Sequence, residues 1–292
     1  MPDQSAVRVQ ETYHRQNRRE RGTEMNDIKE VIRNFILGLG VDDVGFASID
    51  DYRSPRTPSI ESLFPGARSM IVMAFRELSA CESPSPQLAM NSRLDLMEFT
   101  RSVCYRVARY VETQLGSPAV TVPVSYPMDF TTPQKIGFAE VSLRHAAISA
   151  GLGAFGLHNL VVHPKFGTRV IFTAILTKLE LASDPALEKN PCTRCGLCVQ
   201  ACPAGALNDE GKTDMLKCLG NSQPYGMRAN IGFWCRFCDA TPEEQKAMLQ
   251  SPEYLSLYHA GFIGYQYFCF RCLAACPIGR SVRHENKLQL ST

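Results

Sequence analysis

The chain has 292 residues, 45% of them hydrophobic, and 31 Lys and Arg against 29 Asp and Glu give a formal net charge of +2. That length buries one large or two modest cores without the disulfide staples of a small secreted domain, and the near-neutral balance argues against a general attraction to nucleic acid or an anionic membrane. No stretch approaches the roughly 18 consecutive apolar residues of a transmembrane helix, and the polar, basic run MPDQSAVRVQETYHRQNRRERGTEM lacks an apolar signal segment. The expectation is a cytoplasmic protein with reduced thiols, whose residues 1–24 form an unstructured leader.

Apolar residues at Ile28, Val31, Ile32, Phe35, Ile36 and Leu39 recur at helical spacing and stop at Gly40, and VDDVGFASI reads as the strand that follows. PGARSMIVMAF is a short continuous apolar run bounded by Pro65 and Gly66, as a buried strand is. A long helix is expected from about Leu94 to Leu115, with Leu96, Phe99, Val103, Val107, Tyr110 and Val111 on its core face. AVTVPVSYP reads as a strand entering a loop, and VSLRHAAISAGLGAFGLHNLVVHPKFGTRVIFTAILTKLEL as helix, glycine turn, strand, turn and strand. The fold class is therefore α/β (α+β): a body over residues 25–182 mixing helices with one sheet, then a cysteine-rich module over residues 183–292.

Gly151, Gly153 and Gly156 spell G-x-G-x-x-G, but after a helix rather than a strand, which removes the context a dinucleotide fingerprint needs. Three close glycines let a flat or bulky ligand approach the backbone; they equally suit a helix C-cap and tight turn.

The densest signal is PCTRCGLCVQACPAGAL, with Cys192, Cys195, Cys198 and Cys202 in the order C-x2-C-x2-C-x3-C-P. Paired C-x2-C knuckles also serve zinc. The unbroken spacing and the proline after the fourth cysteine favour the bacterial ferredoxin run, in which three thiolates hold one 4Fe–4S cluster and the fourth reaches its neighbour. A second run, CFRCLAACPIG, repeats the last three positions as Cys269, Cys272 and Cys276, while Gln266 stands where the remaining cysteine belongs. Under the crossing rule one cluster takes Cys192, Cys195, Cys198 and Cys276, and the other takes Cys202, Cys269, Cys272 and one of Cys218, Cys235 or Cys238. If Cys218 is that ligand, the pair Cys235 and Cys238 is left over, as buried free thiols beside the sole tryptophan, Trp234, or as a redox pair or half of a zinc site. Cys81 and Cys104 read as isolated core or surface thiols.

SLRHAAISAGLGAFGLHNLVVHPKFGTRVIFTAILTKLEL, followed by CTRCGLCVQACPAGAL and CFRCLAACP, resembles the epoxyqueuosine reductase and reductive dehalogenase superfamily from about residue 26 to 280. The resemblance implies a nitroreductase-like domain of the cobalamin-binding type, followed by a ferredoxin-like module with two 4Fe–4S clusters, and selects Cys218 as the remote ligand. It also implies a departure: the proton-donating aspartate of epoxyqueuosine reductases falls at Gly137. The expected function is corrinoid-dependent reduction of a small molecule, or else electron transfer to a partner corrinoid protein. His145 and Tyr126 are the catalytic candidates, with Asp129 in the same wall. Gly151, Gly153, Gly156 and His158 are the cofactor-binding candidates, with His163 nearby. The expected partners are a low-potential donor such as ferredoxin or flavodoxin and a corrinoid protein, without nucleic acid or membrane.

Overall fold

The computed structural model describes residues 28–55, 57–124, 139–263 and 269–280. The leader, Tyr126, Asp129, Gly137 and Gln266 lie outside the described residues. Two compact units each draw on three stretches of chain: the first on Met1–Phe75, Thr100–Leu152 and Phe172–Leu187, the second on Arg76–Phe99, Gly153–Ile171 and Glu188–Thr292.

The first unit is organised by a sheet. Helix α1 covers residues 28–37 and is followed by β1 (Asp43–Ser48), the short α2 (Ile60–Leu63) and β2 (Ser69–Arg76). Helix α3 (Pro86–Gln114) precedes β3 (Ala119–Thr121) and α4 (Leu143–Ser149). In chain order the hairpin strands β4 (Ala154–Phe155) and β5 (Val161–Val162), which belong to the second unit, come next, then β6 (Val170–Thr177). Sheet order is β1-β2-β6-β3. β1 runs antiparallel to β2 with Phe46 opposite Ile71, and β3 antiparallel to β6 with Val120 opposite Leu176. Arg68 N–H donates to the Thr177 carbonyl, and Glu77 N–H to that of Arg169, so β2 and β6 are antiparallel too. Every side chain from Met70 to Phe75 is fully buried, as the unbroken apolar run requires of a central strand covered on both faces. Each of them except the small Ala74 contributes about 1.5–3 kcal/mol.

The apolar stripe of α1 is narrower than its periodicity suggests: Ile32 and Ile36 are fully buried, whereas Val31 is half-exposed. The missing flank is polar. Lys29 Nζ reaches Asp184 Oδ1 at 2.5 Å and Arg33 Nη2 reaches Oδ2 at 3.1 Å, with both cations over the Phe46 ring. Asp184 Oδ2 also accepts the Phe46 N–H at 3.0 Å, so one carboxylate ties α1 and the 182–184 segment to β1. α3 starts at Pro86, well before the expected Leu94. Ser85 precedes a proline in the first helical position, and its carbonyl accepts the Ala89 N–H. Val103, Val107 and Val111 are buried as expected, but Phe99 is exposed.

In the second unit the cysteine-rich chain forms short helices: α5 (Leu197–Gln200), α6 (Met215–Ser222), α7 (Met227–Asp239), α8 (Pro242–Leu249), α9 (Pro252–Ile263) and α10 (Arg271–Ala275). α8 opens on a capping box, Thr241 with Glu244, and has Pro242 in its first turn. Phe233 is fully buried against Trp234, Phe237 and Tyr254, joining α7 to α9, and Arg236 pairs with Glu253 at 2.5 Å. Among the described residues no helix is long and apolar enough to cross a membrane.

Candidate metal centre

The two cysteine runs meet in the second unit, where α5 of the first packs on α10 of the second. Gly196 caps α5 in the left-handed conformation (φ 77°), turning the chain between Cys195 and Cys198. The thiols influence one another in two groups. Burial first, then the charges of Cys192 and Cys276, raises Cys198 above the ordinary thiol range. Burial raises Cys218, reinforced by Cys269 and Cys202. Cys272 is pushed up to about 12, by burial and then by Cys269, Cys218, Cys198 and Cys202. Cys192 and Cys276 thus act on Cys198, and Cys202, Cys218 and Cys269 on Cys272, with Cys198 also near enough to Cys272 to join the two groups.

Raised in this way, these groups are neutral thiols near neutral pH and become thiolates only where a cation holds them. Among the described residues no group of three or more His, Cys, Asp or Glu could hold a single metal ion. A lone zinc draws its sulfurs to about 2.3 Å from one point, whereas a cluster offers a separate iron to each of four thiolates. The surroundings also supply hydrogen bonds. Ala206 N–H donates to the Cys202 sulfur at 3.3 Å, and the Ser222 hydroxyl, buried with no conventional partner, favours the Cys218 thiolate.

Cys276 sits in the most elaborate setting. Thr168 Oγ1 donates to the Leu273 carbonyl at 3.0 Å. Arg169, buried, donates from Nη1 to the Ile278 carbonyl at 2.9 Å and from Nη2 to those of Cys276 at 3.1 Å and Ala274 at 3.3 Å. A Cβ on Gly167 would lie 2.0 Å from the Ile278 carbonyl oxygen, and one on Gly279 2.2 Å from the Phe166 carbonyl carbon, so the two segments cross backbone to backbone. Burial raises the Cys276 thiol, while the Ile278 N–H, the Arg169 charge and the Thr168 hydroxyl favour its thiolate. No sequence signal linked FGTR to the second cysteine run, more than a hundred residues away.

The glycine turn makes its close approaches to protein. A Cβ on Gly151 (φ +72°) would meet the Pro185 carbonyl oxygen at 2.4 Å, one on Gly153 would meet Val161 Cγ1 at 2.4 Å, and one on Gly156 the His158 ring at 2.7 Å. In the direction a side chain would take, all three glycines are closed by the protein itself. His158 is buried, accepts the Leu160 N–H at Nδ1 (3.0 Å), and is lowered by burial to about 4. His163, also buried, accepts the Lys165 N–H at Nδ1 and stacks on Phe166. His145, half-buried in α4, has its Nδ1 2.8 Å from the hydroxyl of Ser142, the residue that caps the helix, and is lowered by burial and by the Arg144 charge.

Cys235 and Cys238 are exposed on α7, so the buried-thiol expectation fails: Phe233 and Phe237 take the packed face of this helix and leave the two thiols to solvent. Cys81 and Cys104 are buried; burial pushes Cys104 up to about 11.

Comparison with known proteins converges on one group. Residues 187–208 match the family model described as "4Fe-4S binding domain". Epoxyqueuosine reductase from Gloeobacter violaceus is 32% identical over 56% of this chain and 49% of its own length, and that from Synechococcus sp. strain CC9605 is 33% identical over 32% and 31%. The chain thus spans half or less of these relatives. An epoxyqueuosine reductase solved with a tRNA-Tyr epoxyqueuosine-modified stem loop covers 88% of this chain and 66% of its own, with a TM-score of 0.53 and 17% identity. A reductive dehalogenase described for B12-dependent dehalogenation covers 66% of this chain and 28% of its own, with a TM-score of 0.52 and 18% identity. These two likenesses establish a shared fold.

Proposed function

We propose that the chain is an iron–sulfur oxidoreductase of the epoxyqueuosine reductase and reductive dehalogenase superfamily, moving electrons through two 4Fe–4S clusters, as the similar relatives, the shared fold and the 4Fe–4S segment support. Cys192, Cys195, Cys198 and Cys276 would hold one cluster, and Cys202, Cys218, Cys269 and Cys272 the other. The observation that carries this reading is the packing of α5, which holds part of the first cysteine run, on α10, which holds part of the second. When bound, the clusters supply one-electron transfer at low potential. The chain's own contribution is to crowd the thiolates, donate N–H groups from Ala206 and Ile278 to two of them, and exclude water by burying Cys198 and Cys276.

Two acceptors are compatible with that relay. Corrinoid-dependent reduction of a small molecule is supported by the fold shared with the B12-dependent dehalogenase, and His145 and Tyr126 are its proton-donor candidates. Delivery of electrons to a partner corrinoid protein is favoured by the glycine turn, whose close approaches are already filled by Pro185, Val161 and His158. Epoxyqueuosine is not the proposed substrate, because Gly137 replaces the family's aspartate; the tRNA-bound relative nevertheless makes tRNA a necessary arm of the test. The electron donor would be a ferredoxin or flavodoxin.

Equilibrium dialysis of the anaerobic protein against cobalamin, with epoxyqueuosine-tRNA turnover assayed in parallel, separates the readings. Saturable binding supports a corrinoid enzyme; no binding well above the protein concentration leaves delivery to a partner; epoxyqueuosine turnover above background contradicts the Gly137 argument. Gly153→Val is a poor probe, since Val161 already occupies its space.

A further inference from the structure

We propose that Arg169 sets the reduction potential of the cluster that Cys276 would hold, acting as a positioning residue with a fixed positive charge. This inference rests on the two-cluster reading. Arg169 is 3% exposed, and three of its hydrogen bonds go to carbonyls of the Ala274–Ile278 segment. The guanidinium is therefore held beside the loop that carries Cys276, and its charge acts on that thiolate. Thr168, bonded to the Leu273 carbonyl, and the Gly167–Gly279 crossing leave the loop little room to move away.

Reduction adds one negative charge to a cluster, and a nearby cation stabilises the reduced form more than the oxidised one, which raises the potential. Burial makes the effect large because solvent does not screen it. A guanidinium does not lose its proton in a protein, so this bias is constant with pH, which a lysine or histidine would not guarantee. The bias is also moderated. Glu82 Oε1 accepts from Arg169 Nε at 2.5 Å, and its carboxylate offsets part of the charge. Arg280, just past this loop, bonds the Ala274 carbonyl but is exposed and therefore screened. The pair Arg169–Glu82 thus makes two predictions of opposite sign, which a purely structural role does not.

The experiment is an anaerobic redox titration followed by electron paramagnetic resonance on the intact protein and on Arg169→Gln, Arg169→Lys, Glu82→Gln and Cys276→Ala. Arg169→Gln is expected to make one cluster signal about tenfold harder to reduce, some 59 mV lower for a one-electron couple, with the second signal unmoved. Arg169→Lys should restore most of that loss, and Glu82→Gln should move the same signal upward. Retained iron with no shift in Arg169→Gln, or shifts of the same sign in Arg169→Gln and Glu82→Gln, overturns the inference. Should Arg169→Gln fail to assemble, Glu82→Gln decides alone: an upward shift of one signal supports the inference and no shift overturns it. Cys276→Ala tests the premise separately, because survival of both wild-type signals there removes the ligand assignment itself.

Discussion

The two units are held together by different physics. In the first, the side chains from Met70 to Phe75 are all fully buried, and one carboxylate, Asp184, anchors the polar edge. In the second, α6, α7 and α9 leave Leu216, Ile231, Tyr258 and Phe262 exposed, and the burial that does occur gathers around Phe233, the clamp from Arg169 and the thiols. The sheet unit is stabilised mainly by its own apolar surface. The cysteine unit gathers thiols that a metal centre would hold as thiolates, and under the two-cluster proposal part of its folding energy would come from what it binds.

That contrast is broken most strongly at Asp184. Asp184→Ala leaves Lys29 and Arg33 partly buried without their shared partner, and about 3–5 kcal/mol should be lost. Chemical denaturation should register the loss, while iron content per chain stays at the wild-type level. Loss of iron in step with stability would show that the two units are not energetically distinct.

A smaller effect is expected at His158. Its folded pKa of about 4 lies below the ordinary 6.5, so the unfolded chain takes up the proton first as the solution is acidified. The stabilising contribution is complete above pH 6.5, falls by about 2 kcal/mol by pH 5, and is exhausted below about pH 4. The difference in melting temperature between the wild type and His158→Gln, followed from pH 7.5 to 5, should narrow as pH falls. A pH-independent difference would mean that the imidazole is not buried neutral.

What could be read in the sequence follows the same division. The β2 strand was legible because Pro65 and Gly66 bound a continuous apolar run, and the 4Fe–4S binding segment because C-x2-C-x2-C-x3-C-P is a local pattern. The early start of α3 was signalled by Ser85-Pro86, a cap followed by a first-turn proline, although the apolar stripe begins later. The outer edge of α1 was misread because Lys29 and Arg33 find their acid at Asp184, about 150 residues on. Glycine spacing announced close approaches near residue 151 but not their occupants, since Pro185 comes from another stretch of chain. Arg169 was invisible for the same reason: its meaning lies wholly in carbonyls of a distant loop.

The central claim is that thiols from both cysteine runs combine in two clusters, and the most direct measurement is iron and acid-labile sulfide per chain in anaerobically purified protein, wild type beside Cys218→Ala. The account predicts about eight irons in the wild type, with Cys218→Ala damaging one cluster, so that iron falls toward four while the spectrum of the other persists. About four irons in the wild type, or a Cys218→Ala protein that keeps all eight while Cys235→Ala or Cys238→Ala loses them, would contradict it.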